Sequence, residues 1–359
     1  MTSPYKKNIV AALALAALLL GGPVDAQRAR GSGEKGAPPS DEWKALLQES
    51  SNLFFQGKFD SGVAVAKKAL ELAERERGPD HPTVAASLNR LAEHYRAQGQ
   101  FAAAEPLYLR SLAIRENARN PDQPGLGQAL NNLAQLYSAL GKPAEAEPLY
   151  KRALAIREKA GGPDHPDVGT TLNGLAELYR EQGKAAEAEP LYRRSLPIWE
   201  KAIGQTPQPP GAVNQFSFAL SGLASIEGRQ GRFEAAETLY KRAIALIDDS
   251  RDRDHPLMAR PLQGLAGLYA RQGQYDSAET LYKRAVAILE DSLDRDHPRM
   301  AAALQGLAGV YGARSENAAA EALLKRALDI RVKALGEGHP DVAVTRDLLA
   351  KLRSAKAGT

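Results

Sequence analysis

One dipeptide constrains this chain more than any other feature. His-Pro occurs at His81-Pro82, His165-Pro166, His255-Pro256, His297-Pro298 and His339-Pro340, and Gln123-Pro124 stands where one further copy is due. The steps between the histidines are 84, 90, 42 and 42 residues, so a 42-residue unit repeats along the chain with one insertion of six. A fixed period of about 20 to 50 residues marks a supersecondary unit that stacks on copies of itself. One such unit cannot bury its own apolar face, so the core forms only between neighbours. That predicts an extended solenoid and tilts the function towards binding rather than chemistry.

Inside each unit the apolar residues follow a helical period. Leu88, Leu91, Ala92 and Tyr95 lie at i, i+3, i+4 and i+7, one face of an α-helix. Gly99 then ends the helix, and Phe101, Ala104, Tyr108, Ser111 and Leu112 continue on a second one. The pattern returns as Leu130, Leu133, Ala134, Tyr137, Gly141, Ala146, Tyr150 and Ala153, again from Leu172 to Ser195, and again from Leu262 to Ala285. Ala92 and Ala104 sit where two antiparallel helices cross, and a larger side chain would part them.

The charged and histidine residues fit the same frame. Proline is favoured at the first helical position, and a histidine before it can cap free N–H groups, so the His-Pro pairs read as helix starts rather than metal ligands. Glu147, Glu189, Glu237, Glu279 and Glu321 each precede a Lys or Arg by four residues, the arrangement of a solvated helix face. His94 takes a slot filled elsewhere by Leu136, Leu178 and Leu268, and reads as a partly buried substitute. No phosphate loop, nucleophile elbow or zinc-type helix is present, and no stretch outside the repeat is long enough for a catalytic domain.

Composition narrows the function further. There is no cysteine, which removes disulfides, thiolate metal sites and a cysteine nucleophile together. A net charge of only +4, without Lys/Arg blocks interleaved with aromatics, argues against a nucleic-acid partner. No cofactor is expected. At the N-terminus, Lys6 and Lys7 precede an apolar run from Ile9 to Leu20, a Gly-Gly-Pro break and the compact Val24-Asp25-Ala26. This reads as a cleavable signal peptide over residues 1–26, too short to remain as a stable membrane anchor, and predicts a periplasmic or secreted protein. Residues 27–40 read as a flexible linker.

The order Leu, Leu, Ala, Tyr, Gly, Ala, Tyr, Ala resembles the small-and-large signature of the tetratricopeptide repeat. The period, the segment Gly162-Pro163-Asp164-His165-Pro166-Asp167-Val168 and the segment Glu147-Pro148-Leu149-Tyr150-Lys151-Arg152-Ala153-Leu154 are similar to the kinesin light chain variant of that repeat. The resemblance covers roughly residues 41 to 353. It implies an all-α, helix-turn-helix solenoid of the right-handed α-α superhelix type. Seven helix pairs are expected, the first degenerate, followed by one terminal helix. Pro197 and the insertion suggest two sub-arrays, 41–203 and 211–353, separated by a Pro-rich loop at 204–210 and followed by a tail at 354–359. The alternative is a longer loop over an unbroken array.

In the family the first helices line a concave groove that holds peptide segments. Carried onto this chain, the resemblance puts Asn89, Asn131, Asn173, Gln263 and Gln305 at the position after the first signature Leu. Glu93, Gln135 and Glu177 follow four residues on, and Arg96, Arg180, Arg229 and Arg271 one turn beyond. Phe218 points towards the groove by the same frame, as an anchor for a partner or as packing under the inserted loop. Gly264, Gly267, Gly306 and Gly309 each cost about 0.8–1.0 kcal/mol in a helix relative to Ala. Tight packing and the close approach of a partner are the compensations open to them. The expectation is a non-catalytic scaffold binding a protein or peptide partner, with the arginines favouring acidic segments. A structural spacer, or a self-assembling scaffold using its convex face or ends, is the alternative.

Overall fold

The computed structural model describes residues 39–118, 123–209, 211–250, 255–292 and 297–357. The expected signal peptide and all but the last two residues of the expected linker lie outside them. Among the described residues the chain forms fifteen α-helices, one 3-10 turn and no strand. It divides into two compact units, one ending at Ala160 and the other beginning at Gly161.

The first unit holds three antiparallel pairs: α1 (Asp41–Phe55) with α2 (Phe59–Arg77), α3 (Pro82–Ala97) with α4 (Phe101–Asn117), and α5 (Gln123–Ala139) with α6 (Pro143–Gly161). The second holds α7 (Pro166–Glu181) with α8 (Ala185–Ile203), α9 (Ala212–Arg229) with α10 (Phe233–Ser250), α11 (Ala259–Arg271) with α12 (Tyr275–Ser292), α13 (Pro298–Ala313) with α14 (Asn317–Leu335), and the single helix α15 (Pro340–Ala357). Residues 354–357, expected as tail, continue α15, where Ser354 Oγ donates to the Ala350 carbonyl at 2.7 Å. The inserted stretch lies inside the second unit. Helix α9 packs on both α7 and α8, so stacking runs on through it.

Local chemistry explains the helix ends. The Nδ1 atoms of His81, His165, His255, His297 and His339 accept from the backbone N–H two residues on, at 3.1–3.2 Å. Each histidine therefore caps a helix or turn start as a neutral acceptor, with proline at the next position. Between paired helices the chain turns through a residue with positive φ, such as Gly99 at 74°. In the last pair the same slot holds Ser315 at φ 65°. All five expected Glu-to-Lys or Glu-to-Arg pairs form, at 2.6–3.0 Å. Helix α8 runs unbroken through Pro190 and Pro197.

The core is built from the alanines and tyrosines of the repeat. Ala92, Ala104, Ala134, Ala146, Ala176 and Ala188 have no solvent exposure. Tyr108, Tyr150 and Tyr192 are among the largest fully buried side chains. His94 is fully buried, not partly. Its ring stacks edge-on against Phe54 and Phe59, and its Nε2 meets Ser50 Oγ at 2.8 Å. Gly62 makes the room, since a Cβ there would lie 2.0–2.6 Å from the imidazole.

Candidate binding face

Within each unit the first helices pack directly on one another: α1, α3 and α5 in the first unit, and α7, α9, α11 and α13 in the second. A stack is tightest on its inner side, so these helices line the inner face. The candidate residues all lie on them, but the structure gives them different environments.

The asparagines are not presented to solvent. Asn89, Asn131 and Asn173 are 4%, 1% and 1% exposed. In the first unit Asn89 Nδ2 donates to Glu93 Oε1 at 3.0 Å, and Asn132 Nδ2 donates to Asn89 Oδ1 at 3.2 Å and to Glu93 Oε1 at 2.7 Å. Asn131 Nδ2 donates to Asn132 Oδ1 at 3.3 Å, and Arg90 closes the cluster on Glu93 Oε2 at 2.6 Å. In the second unit Asn173 Nδ2 donates at 3.0 Å to both the main-chain oxygen and Oε1 of Gln215, and its Oδ1 accepts from Ser195 Oγ at 2.6 Å. Asn89 and Asn173 are thus bonded to the next repeat, whereas Asn131 bonds only along its own helix and its Oδ1 is buried without a partner. The burial of all three corrects their reading as backbone clamps for a partner. For Asn89 and Asn173 the neighbouring helix supplies a partner that is always present. Arg96 is half-buried beside Tyr108, and Gln135 is half-buried.

Glu177, Arg180 and Phe218 come together around a residue the repeat reading did not select. Arg180 donates to Glu177 through Nε at 2.8 Å and Nη2 at 2.9 Å, and the Tyr192 hydroxyl donates at 2.6 Å. Arg260 reaches in from α11, its Nη2 2.7 Å from Glu177 Oε1 and its guanidinium 3.8 Å from the centre of the Phe218 ring. Burial alone would raise the Glu177 carboxyl, but Arg260, Arg180 and the tyrosine outweigh it and hold it well below the usual carboxylate range. Phe218 thus lies under Arg260. A signal for Arg260 was present: it occupies the same repeat slot as Phe218, 42 residues on.

Between α9 and α11 the face opens into a notch of about 220 Å³, lined by Ser225, Arg229, Tyr240, Gln263 and Arg271. Gly228, Gly264 and Gly267 line it too, each with a neighbouring side chain (Leu268, Tyr240 and Tyr282 respectively) in the space a Cβ would take. Arg229 and Arg271 are exposed, and neither is ion-paired among the described residues. Arg271 lies 5.8 Å from the Phe233 ring centre. The glycines divide into two kinds. A Cβ on Gly264 or Gly306 would lie 2.2–2.8 Å from Tyr240 or Tyr282, so tight packing accounts for both. A Cβ on Gly309 would meet nothing within 4 Å. Gln305, further along the face, accepts from Arg331.

No curated protein matches the chain significantly. Among solved structures it is similar to the nearly identical repeats of a putative kinesin light chain from Podosopora anserina, at 25% identity over 60% of this chain and 98% of that one, with a TM-score of 0.43. It is also similar to the apo form of RapI, at 14% identity over 83% of this chain and 100% of that one, TM-score 0.58. A Rap protein complexed with competence and sporulation factor matches at 14% identity over 89% and 99%, TM-score 0.53. The family model described as the tetratricopeptide repeat matches residues 45–117, 83–159, 125–201, 216–291, 264–331 and 299–358. With its inner face built by the first helices of stacked pairs and its whole repeat region matched, the chain belongs to the tetratricopeptide repeat family.

Proposed function

We propose that this protein is a protein-interaction module that holds a segment of a partner on the inner face of its second unit, without chemistry of its own. The observation that carries the reading is the notch between α9 and α11. It presents two exposed arginines one repeat apart, neither ion-paired among the described residues, beside the polar Ser225 and Gln263. Arginine forks match carboxylates in geometry as well as charge, so the notch favours Asp or Glu side chains of a peptide. The buried Asn89 and Asn173 take no part and hold neighbouring repeats in register. The charged start, short apolar run and small-residue break of residues 1–26 support action in the periplasm or outside the cell.

Selection from a displayed library of random peptides tests this, using residues 27–359 as bait beside an Arg229→Glu, Arg271→Glu bait. Both positions are exposed, so the variant retains its fold. Enrichment of Asp- and Glu-bearing peptides by the first bait alone is the expected result. Equal enrichment by both baits would refute the notch. Self-association with no peptide selected would move the assignment to the self-assembling scaffold.

A further inference from the structure

Two guanidinium groups, those of Arg180 and Arg260, converge on the Glu177 carboxylate. Arg180 already engages Glu177 with two hydrogen bonds, and Tyr192 adds a third. Arg260 contributes a second guanidinium through one hydrogen bond, from a helix two repeats further on. Its removal leaves Glu177 paired with Arg180 and hydrogen-bonded to Tyr192, so release does not strand the half-buried carboxylate. Its side chain is 35% exposed, so the site is open to solvent on one side.

What Arg260 occupies is a complete guanidinium site. The Phe218 ring supplies a flat face at stacking distance, and Glu177 supplies an acceptor at the edge of the group. A cation over an aromatic face gains about 0.5–1 kcal/mol where exposed and more where desolvated. The site also adjoins the notch, because Arg260 stands one helical turn before Gln263 and Gly264 on α11, and both of these line the notch. A segment lying in the notch therefore passes within reach of it.

We propose that Phe218 and Glu177 form a receptor for an arginine side chain of the partner, and that Arg260 fills this receptor in the free protein until a partner arginine replaces it. The proposal rests on the groove reading and adds a second, basic requirement to the bound segment. The module then recognises a segment carrying both an acidic residue and an arginine.

The test uses the chain from residue 27 to 359 and N-acetyl-arginine amide as the probe, with binding read by NMR titration. If Arg260 holds the site for nine-tenths of the time, Arg260→Ala binds the probe about tenfold more tightly than the unaltered chain. The citrulline analogue, which keeps the shape without the charge, shows no such gain. Adding Phe218→Ala to Arg260→Ala returns binding to the unaltered level. Phe218 is half-buried and makes none of the hydrogen bonds of the Arg180–Glu177 pair, so its truncation tests the site without removing that pair. No gain with Arg260→Ala, or a gain that survives Phe218→Ala, overturns the proposal. So does preferential binding of N-acetyl-glutamate amide that is lost with Arg260→Ala, which would make Arg260 an anion site instead. The Arg229→Glu, Arg271→Glu pair leaves this readout unchanged, so failure of the notch and failure of the receptor are separately visible.

Discussion

His94 makes the stability of the first unit depend on pH. It lies at the junction of α1, α2 and α3, fully buried, between the rings of Phe54 and Phe59 and against Gly62. Ser50 Oγ donates to the Gly62 carbonyl at 3.4 Å, so it accepts from His94 Nε2–H, and Nδ1 is left buried without a partner. Burial, and then the charge of Arg90, push the imidazole down from its ordinary 6.5 to about 4. In the unfolded chain His94 takes up a proton as the pH drops below about 6.5, whereas the folded chain holds it neutral down to about 4. The unfolded state therefore binds more protons across that window. Stability is lost as the pH falls through it and levels off below about 4. One pKa unit corresponds to ~1.4 kcal/mol, and between about pH 7.5 and about pH 5 the loss comes to ~2 kcal/mol.

The assay is hydrogen exchange of α1–α3 amides at both pH values, corrected for intrinsic rates, in the unaltered chain and in His94→Leu. Leucine fills the same slot in later repeats at Leu136, Leu178 and Leu268. The unaltered chain should lose protection in α1–α3 at the lower pH by a factor matching ~2 kcal/mol, and the variant should lose far less. An equal loss in both proteins would show that another group carries the pH dependence and would refute the reasoning.

Further outcomes follow from the glycines, the turns and the buried amides. Gly264→Ala or Gly306→Ala forces a Cβ against Tyr240 or Tyr282 and should destabilise by ~1–3 kcal/mol, measured by urea unfolding. Gly309→Ala meets open space and should instead stabilise by ~1 kcal/mol. Ser315→Gly relieves the positive φ in the last turn and should raise stability by ~1 kcal/mol in the same assay. Asn173→Ala removes the bonds to Gln215 and strands Ser195 Oγ on its helix carbonyl, so it should cost ~1–3 kcal/mol and increase exchange in α7–α9.

Much of this protein is legible in the chain because a solenoid is short-ranged. The 42-residue period, the His-Pro caps, the turn glycines and the Glu-to-Lys pairs are all read within one or two units, and each appears in the structure where the repeat puts it. Local spacing decides which residues face inwards, and helix periodicity is a local property. Local spacing does not decide whether an inward residue meets solvent or the next helix. Asn131 and Gln263 occupy the same repeat slot, yet one is 1% exposed between helices and the other lines an open notch. His94, expected half-buried, is sealed by two phenylalanines and a glycine from the preceding pair. The contact of Arg260 with Glu177 spans 83 residues and depends on how tightly α7, α9 and α11 stack. That stacking is set by packing between neighbouring repeats of the second unit. The order and faces of the helices thus follow from the chain alone, whereas the charges left free for a partner are settled only when neighbouring repeats close on one another.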